Sequence, residues 1–233
     1  MARKSKRPAR KTAAPPRPNS TESPRERIVA AFMGLLAENP FEQIGLADVA
    51  ARAEISLSAL REEFGSLLAI LGAHVKEIDR IVLDGVDPDL AEEPARERLF
   101  DVLMRRLEAL TPYRAAICSL TRSAMRNPGL AFALNGIAVG SQRWMLTAAN
   151  INTAGTKGVL RAQGLAVLFA CVLRVFAEDD DPNLSRTMAE LDRELGRGQR
   201  WSGFLDDVCE IPAACVRRGR RRRGRDHDDA VAA

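Results

Sequence analysis

The chain has few of the residues on which metal binding and catalysis depend. It has two histidines and four cysteines in 233 residues, and no two cysteines form a C-x-x-C pair. We therefore expect no metal site and no cofactor. A G-x-S-x-G motif, a P-loop and a G-x-G-x-x-G motif are also missing, and His74 is the one histidine outside the C-terminal tail. These absences predict that the protein is not an enzyme.

Long hydrophobic runs are also missing. A membrane span needs about 18 or more consecutive apolar residues, whereas the longest apolar stretch, residues 164–177, is shorter and carries Arg174. The N-terminus lacks the apolar segment of a secretory signal. We therefore expect a cytoplasmic protein without an integral membrane segment, whose cysteines remain reduced.

No segment alternates apolar and polar residues over the length of a strand. Apolar residues recur at helical spacing instead, beginning with a helix that opens at Ser23-Pro24 and stops at Asn39-Pro40. Further helices are predicted at residues 46–53, 57–64, 67–83, 95–110, 113–126, 129–149, 158–178 and 183–197, and a short amphipathic piece at 201–208. The predicted fold class is all-α.

Charge is distributed unevenly along the chain. Residues 1–24 hold seven Lys or Arg against one Glu, and residues 217–233 hold seven Arg against three Asp. The overall charge is +4, so residues 25–216 carry −6. Basic ends of this kind attract polyanions such as nucleic acid or an anionic membrane surface. Solubilising, disordered ends are an equally open interpretation.

The most specific pattern lies in residues 25–72. An amphipathic helix is followed by two short helices, with the small residues Ala50 and Ala53 at their crossing and Ile55 at the corner between them. This is the pattern of a helix-turn-helix, in which one helix braces the backbone and the next is presented to a DNA groove. A helix of seven or eight residues is too short to be stable alone, so it must be docked.

These residues resemble the TetR family of bacterial transcriptional regulators. The match runs through residues 28–32 and 39–41, the D-V-A-x-x-A-x-x-S run from Asp48 to Ser56, and the L-x-x-x-F run from Leu60 to Phe64. The resemblance implies a three-helix DNA-binding head at 25–72 and a helical effector and dimerisation domain at 73–210. Disordered basic segments at 1–24 and 211–233 would flank them. It also implies a homodimer that binds double-stranded DNA through Ser56, Leu57, Ser58, Arg61 and Arg52.

The head departs from the family pattern at several positions. Glu54 stands where the family usually has Gly before the turn, Arg61 and Glu63 replace an aromatic residue and a histidine, and Leu67 replaces a lysine. Residues 25–66 carry four Arg against seven acidic residues. Phosphate neutralisation supplies most non-specific DNA affinity, so this head is electrostatically poor. Either the basic arm supplies phosphate contacts, or Ser56, Ser58 and Arg61 carry the essential contacts.

The second half carries a weaker resemblance to a different group of proteins with this fold. Residues 107–113, Trp144, and residues 176–195 with their acidic loop are similar to the lipid-binding accessory protein of ubiquinone biosynthesis, which has no DNA-binding function. The alternative function is therefore a lipid- or isoprenoid-binding accessory protein. The acidic loop has a simpler explanation, in which Asp181 caps a helix with Pro182 at its first position.

Two further sets of residues are candidates for sites in this second half. Aromatic and Met side chains suit an apolar effector pocket, although ordinary core packing is the simpler explanation for each of them. The candidates are Tyr113, Met125, Phe132 and Trp144. The helix at 158–178 is apolar around most of its girth, which is typical of half of a dimeric four-helix bundle. Its predicted dimerisation residues are Leu168, Cys171, Val172 and Val175.

Overall fold

The computed structural model describes residues 23–87 and 92–197, and this part of the chain is helical without strands. In chain order the helices are α1 Pro24–Glu38, α2 Leu46–Arg52, α3 Leu57–Glu63, α4 Leu67–Asp84, α5 Ala95–Leu110, α6 Arg114–Arg126, α7 Pro128–Ala148 and α8 Gly155–Ala177. A further helix, α9, occupies residues 185–197. The all-α prediction is confirmed for this part. The basic arm, the Arg-rich tail and the piece predicted at 201–208 lie outside the described residues.

Side-chain caps fix where the first helices begin. Ser23 and Glu26 form a reciprocal capping box, in which the Ser23 Oγ accepts from the Glu26 N–H at 3.2 Å and the Glu26 carboxylate accepts from the Ser23 N–H at 2.8 Å. Ser56 and Ser66 cap α3 and α4 by accepting from the N–H groups of Ala59 and Ala69. These polar residues satisfy N–H groups that a helix start leaves unpaired.

The apolar residues form two clusters, and α4 contributes to both. The first cluster, which we call the head core, packs α1, α2 and α3 around Phe32 and Leu60 and takes Ile70 and Leu71 from α4. The second, the body core, joins α5, α7, α8 and α9 and takes Ile78 and Val82 from α4. The boundary predicted between residues 72 and 73 falls inside this continuous helix. Movement of α4 relative to the body would therefore be carried to the head.

A second connection runs from α1 to α6. Ala116 of α6 is buried in the head core. The Ser119 hydroxyl donates to the carbonyl of Asn39 at 2.8 Å, and the Ser123 hydroxyl donates to the Glu42 carboxylate at 2.9 Å. The head is thus held against the body at the end of α1 as well as through α4.

The acidic loop between α8 and α9 has a structural role. The buried Asp179 carboxylate accepts from the Thr187 N–H at 2.9 Å and from the Thr187 hydroxyl at 2.6 Å. Asp181 accepts from the N–H groups of Asn183 and Ser185. The loop therefore leads into α9, which begins at residue 185. The prediction that Pro182 occupies the first position of the helix is wrong, because Pro182 lies in the turn that precedes α9.

By length and hydropathy, α8 is the one helix among the described residues that is apolar enough to cross a membrane, and a third of its most apolar window is buried. The core helices of soluble proteins meet the same criterion. On α8 the inward residues Phe169, Val172 and Phe176 are fully packed, while Leu160 and Val167 point outwards and are about half exposed. An apolar helix face is thus left uncovered in the single chain.

Candidate nucleic-acid interface and body sites

Helix α3 is docked by its apolar residues and exposes its polar ones. Leu60 and the following Phe64 are buried in the head core. Ser58 and Arg61 are exposed, and Leu57 keeps 57% of its surface accessible. Of the side chains predicted to contact DNA, Leu57, Ser58 and Arg61 are exposed on α3. Ser56 lies at the start of this helix, and Arg52 lies on α2. A short helix held in this way can enter a groove without unfolding.

The turn before α3 is tight. The Ile55 N–H donates to the Ala50 carbonyl at 3.1 Å, which closes the end of α2. Glu54 takes a left-handed backbone conformation with φ +54°. Glycine adopts this conformation readily, whereas a residue with a Cβ pays a steric cost for it. Glu54 stands at the position where the resemblance predicts Gly. It therefore has a backbone conformation typical of glycine, although it carries a charged side chain.

Two of the basic residues of the head are held by acidic neighbours. Arg52 forms a bidentate pair with Glu38, with N–O distances of 2.6 and 2.7 Å, and these hydrogen bonds lower the pKa of Glu38. Arg25 lies 3.6 Å from the Glu63 carboxylate and above the ring of Phe64. Arg61 has no ion pair within the described residues, so its guanidinium is available to an outside acceptor.

The four residues predicted to line an effector pocket are not brought together. Tyr113 packs inside against His74, with ring centroids 4.3 Å apart. Met125, Phe132 and Trp144 instead lie at the surface, with exposed fractions of 63%, 81% and 57%. Their prediction as pocket residues is corrected because the helices turn these side chains away from the body core. An exposed side chain cannot enclose an apolar ligand in the single chain.

The predicted dimerisation residues divide between the two sides of α8. Cys171 is exposed, and Leu168 and Val175 are half-buried, so these three border the uncovered face. Val172 is fully buried in the body core, and its prediction as a dimer residue is corrected. Sequence analysis missed Leu160, which together with Val167 completes the outward apolar face.

A group of buried polar residues also escaped sequence analysis. Arg106 of α5 donates to the Asp79 carboxylate of α4, and the Ser141 hydroxyl of α7 donates to the same carboxylate oxygen at 2.6 Å. All three residues are at least 93% buried. Asp79 and Arg106 lie in register with the apolar residues of their helices, so their burial could have been predicted from the sequence, but their pairing could not. We call Asp79, Arg106 and Ser141 the buried ion-pair cluster.

His74 lies beside this cluster on α4. Burial, followed by the positive charge of Arg106, lowers the pKa of His74 to about 4. The imidazole is therefore neutral at physiological pH. No group of three or more His, Cys, Asp or Glu side chains suited to a metal ion occurs within the described ranges.

Solved structures of TetR-type regulators share this arrangement. A TetR regulator from Nitrosomonas europaea aligns with a TM-score of 0.59 at 21% identity, over 76% of this chain and 99% of that one. One from Rhodococcus sp. RHA1 aligns with a TM-score of 0.52 at 19% identity, over 75% and 95%. A third, from Streptomyces coelicolor, gives 0.52 at 14% identity, over 81% and 85%.

Sequence comparison adds nothing to these structural matches. No protein-family model matches the chain, and no curated protein does. At identities of 14–21% the structural likeness speaks for the fold alone. Together with the packing described above, it shows that this chain has the TetR-type fold, a helix-turn-helix head joined to a helical body.

Proposed function

We propose that the chain is a cytoplasmic DNA-binding transcriptional regulator, a repressor of the TetR type that acts as a homodimer and is released by an apolar effector. The observation that carries the proposal is the geometry of α3. Its apolar side is locked into the head core by Leu60, while Ser58 and Arg61 stay exposed on the other side. A brace of this kind positions a short helix in the major groove.

The roles of the individual side chains follow from their chemistry. Arg61 carries a planar guanidinium without an internal partner among the described residues and suits a bidentate contact to guanine. Ser56, Leu57 and Ser58 lie at the start of α3, where they would contact the backbone and base edges. Arg52 would have to leave Glu38 before it could contact a phosphate. The basic residues of segment 1–24 would supply the phosphate contacts that the acidic head lacks.

Dimerisation would proceed through the uncovered apolar face of α8 together with α9. Burying Leu160, Val167 and Leu168 against a second copy would remove this face from water. A two-fold dimer would place two copies of α3 at a fixed separation, matched to two half-sites. In this proposal 25–72 is the head and 73–210 the body, and an effector in the body changes the separation by moving α4.

The test is selection of genomic fragments with the purified full-length dimer, combined with mass spectrometry of any molecule that co-purifies. A regulator should enrich a two-fold symmetric sequence. A regulator with its recognition face removed, in which Ser58 and Arg61 are both changed to Ala, should enrich none. If the wild-type protein enriches no sequence and carries a stoichiometric lipid, the proposal is wrong and the lipid-binding accessory function explains the fold.

A further inference from the structure

The buried ion-pair cluster lies at the junction of α4, α5 and α7. Arg106 is 5% exposed and Asp79 7% exposed, so both charges are almost fully removed from water. The same Asp79 oxygen accepts from Arg106 and from the Ser141 hydroxyl. Burying two charges costs free energy that their attraction does not always offset, and an apolar pair of similar volume is often at least as stable. Core packing alone therefore does not explain why charged residues occupy these buried positions.

Several buried polar atoms on α4, α5 and α7, the three helices that form the cluster, lack a partner. Within the part of the chain that the structure describes, the Nε of Arg106, the Nε2 of His74 and the Oε1 of Gln142 are buried without a hydrogen bond. His74 and Gln142 are 4% and 1% exposed. A guanidinium has five N–H donors, so the bond to Asp79 does not use the full donor capacity of Arg106. Buried polar atoms are paired in most native structures, so the unpaired Nε of Arg106 and Nε2 of His74 call for a partner.

The unfilled hydrogen-bonding capacity defines the chemistry of that ligand. Arg106 offers a planar, positively charged donor that matches a carboxylate in a bidentate manner. The surroundings are apolar, since Phe169 lies under the guanidinium and Leu103 and Leu107 line the same core. We propose that Arg106 is the recognition site for an apolar molecule with a carboxylate head, and that the carboxylate replaces Asp79 on the guanidinium.

This exchange links binding to α4. Asp79 belongs to α4, whereas Arg106 belongs to α5 and Ser141 to α7. Once the ligand takes its place, the Asp79 carboxylate is a buried charge without its cation, which is unfavourable unless α4 shifts and lets water reach it. Because α4 also packs in the head core through Ile70 and Leu71, the shift would be carried to the head. This regulatory step rests on the proposed function, but the binding step does not.

Binding to the purified protein without DNA tests the site itself. The probes are benzoate, octanoate, decanoate and hexadecanoate, each beside the alcohol of the same carbon skeleton, measured by isothermal titration calorimetry. We expect at least one carboxylate to bind about tenfold or more tightly than its alcohol, because a charge-assisted hydrogen bond is at stake. Asp79→Asn keeps the shape but weakens the internal competitor, so it should tighten carboxylate binding.

Paired variants separate recognition from folding. Asp79→Leu combined with Arg106→Met replaces the cluster by apolar groups and should abolish the carboxylate preference while the helical circular dichroism is kept. The matched control is Arg105→Met, because Arg105 is the neighbouring residue on α5 and pairs with Asp101 on its own helix. It should leave binding unchanged.

Hydrogen exchange on the wild-type protein keeps the proposal testable if a variant does not fold. Bound carboxylate should accelerate exchange of the α4 amides around residue 79. The proposal is overturned if no carboxylate of the panel binds, if acid and alcohol bind equally, or if binding leaves α4 exchange unchanged. None of these outcomes bears on operator binding, which is measured separately by fragment selection.

Discussion

Glu54 has a backbone conformation that is unfavourable for a residue with a Cβ atom. It holds φ +54° in the turn between α2 and α3 while its side chain is exposed. A residue with a Cβ pays about 1–2 kcal/mol in the left-handed region relative to the right-handed one. The turn keeps this conformation because the buried Ala50, Ala53 and Leu60 fix the helices on either side of it.

Replacing Glu54 should therefore stabilise the protein if the new residue is glycine. We expect Glu54→Gly to raise the free energy of unfolding by about 1 kcal/mol relative to Glu54→Ala. The alanine variant is the control, because it removes the charge and keeps the steric cost. Urea denaturation followed by circular dichroism measures the difference. Equal stability of the two variants would show that the turn is not strained by a Cβ.

His74 should make stability depend on pH. Its pKa is lowered to about 4 in the folded protein, first by burial and then by Arg106, whereas an unfolded histidine titrates near pH 6.5. Between these values the unfolded chain binds a proton that the folded chain does not, so His74 makes stability fall as pH falls from about 6.5 to 4. The full effect is about 3 kcal/mol.

The measurement is chemical denaturation at a series of pH values. His74→Phe should flatten the slope of unfolding free energy against pH in this window. His227→Gln, which changes the histidine of the C-terminal tail, is the control and should keep the wild-type slope. An unchanged slope in His74→Phe would mean that the pKa of His74 is the same in the folded and the unfolded protein.

Among the helices, α8 provides the surface through which we expect the homodimer to form. Its inward side closes the body core, and its outward side exposes Leu160, Val167 and Cys171. The groove beside it is lined by charged residues of α8, of the acidic loop and of α9, among them Arg174, Glu178 and Glu190. An apolar strip bordered by charges of both signs suits a second copy of the same surface.

We expect a stable homodimer at micromolar concentration, and Val167→Glu should make it monomeric because it places an unpaired charge in a desolvated interface. The substitution should leave helical content unchanged, since Val167 is 55% exposed in the single chain. Ile81→Glu on α4 is the matched control, since Ile81 is similarly exposed on another surface. Size exclusion with light scattering decides between the outcomes. A monomeric wild-type protein would refute the dimer.

Helix positions were predictable from the sequence because caps and prolines mark their ends. The predicted start at Ser23-Pro24 and stop at Asn39-Pro40 agree with α1. The facing of side chains was harder to predict. On α4 the apolar Leu68 and Val75 are only half-buried, whereas the buried side includes Ile70, His74 and Asp79. Helical periodicity locates a stripe only to within about one residue position, and the neighbouring helices decide which position is covered.

Some of the candidate sites could likewise be predicted from the sequence, and others could not. The exposed side of α3 could be predicted because Leu60 and Phe64, which are four residues apart and both buried, fix the orientation of the helix. On α7 apolar residues occur on several sides, so composition could not show that Phe132 and Trp144 face outwards. The ion pair of Asp79 and Arg106 depends on two helices that are distant in sequence. Its formation follows from tertiary packing, which no local pattern contains.

For the whole molecule, charge separates the folded part from its ends. Residues 25–66 are acidic, with seven Asp or Glu against four Arg, while residues 1–24 carry seven Lys or Arg. In the head, Arg52 and Arg25 are moreover close to acidic side chains. DNA binding by such a molecule should depend strongly on the basic arm.

We expect deletion of residues 2–20 to weaken operator binding and to flatten its salt dependence. Each lost phosphate contact removes about 0.9 from the slope of log K against log salt. The control keeps the length of the arm and replaces its Lys and Arg by Gln, and it should flatten the slope equally. Fluorescence anisotropy across a salt series gives the slopes. An arm deletion with the wild-type slope would show that the arm does not contact phosphates.

We expect the exposed side of α3 to read a DNA sequence. The most direct test is the affinity of the full-length protein for the enriched operator and for a scrambled duplex of the same composition, with Arg61→Ala beside wild type. We predict that wild type prefers the operator and that Arg61→Ala costs about 1–3 kcal/mol there, with little change on the scrambled duplex. Glu62→Ala, the neighbouring exposed position, should not weaken binding. Equal affinity of wild type for both duplexes, or an Arg61→Ala variant that binds the operator as tightly as wild type, would show that α3 does not read the DNA sequence through Arg61.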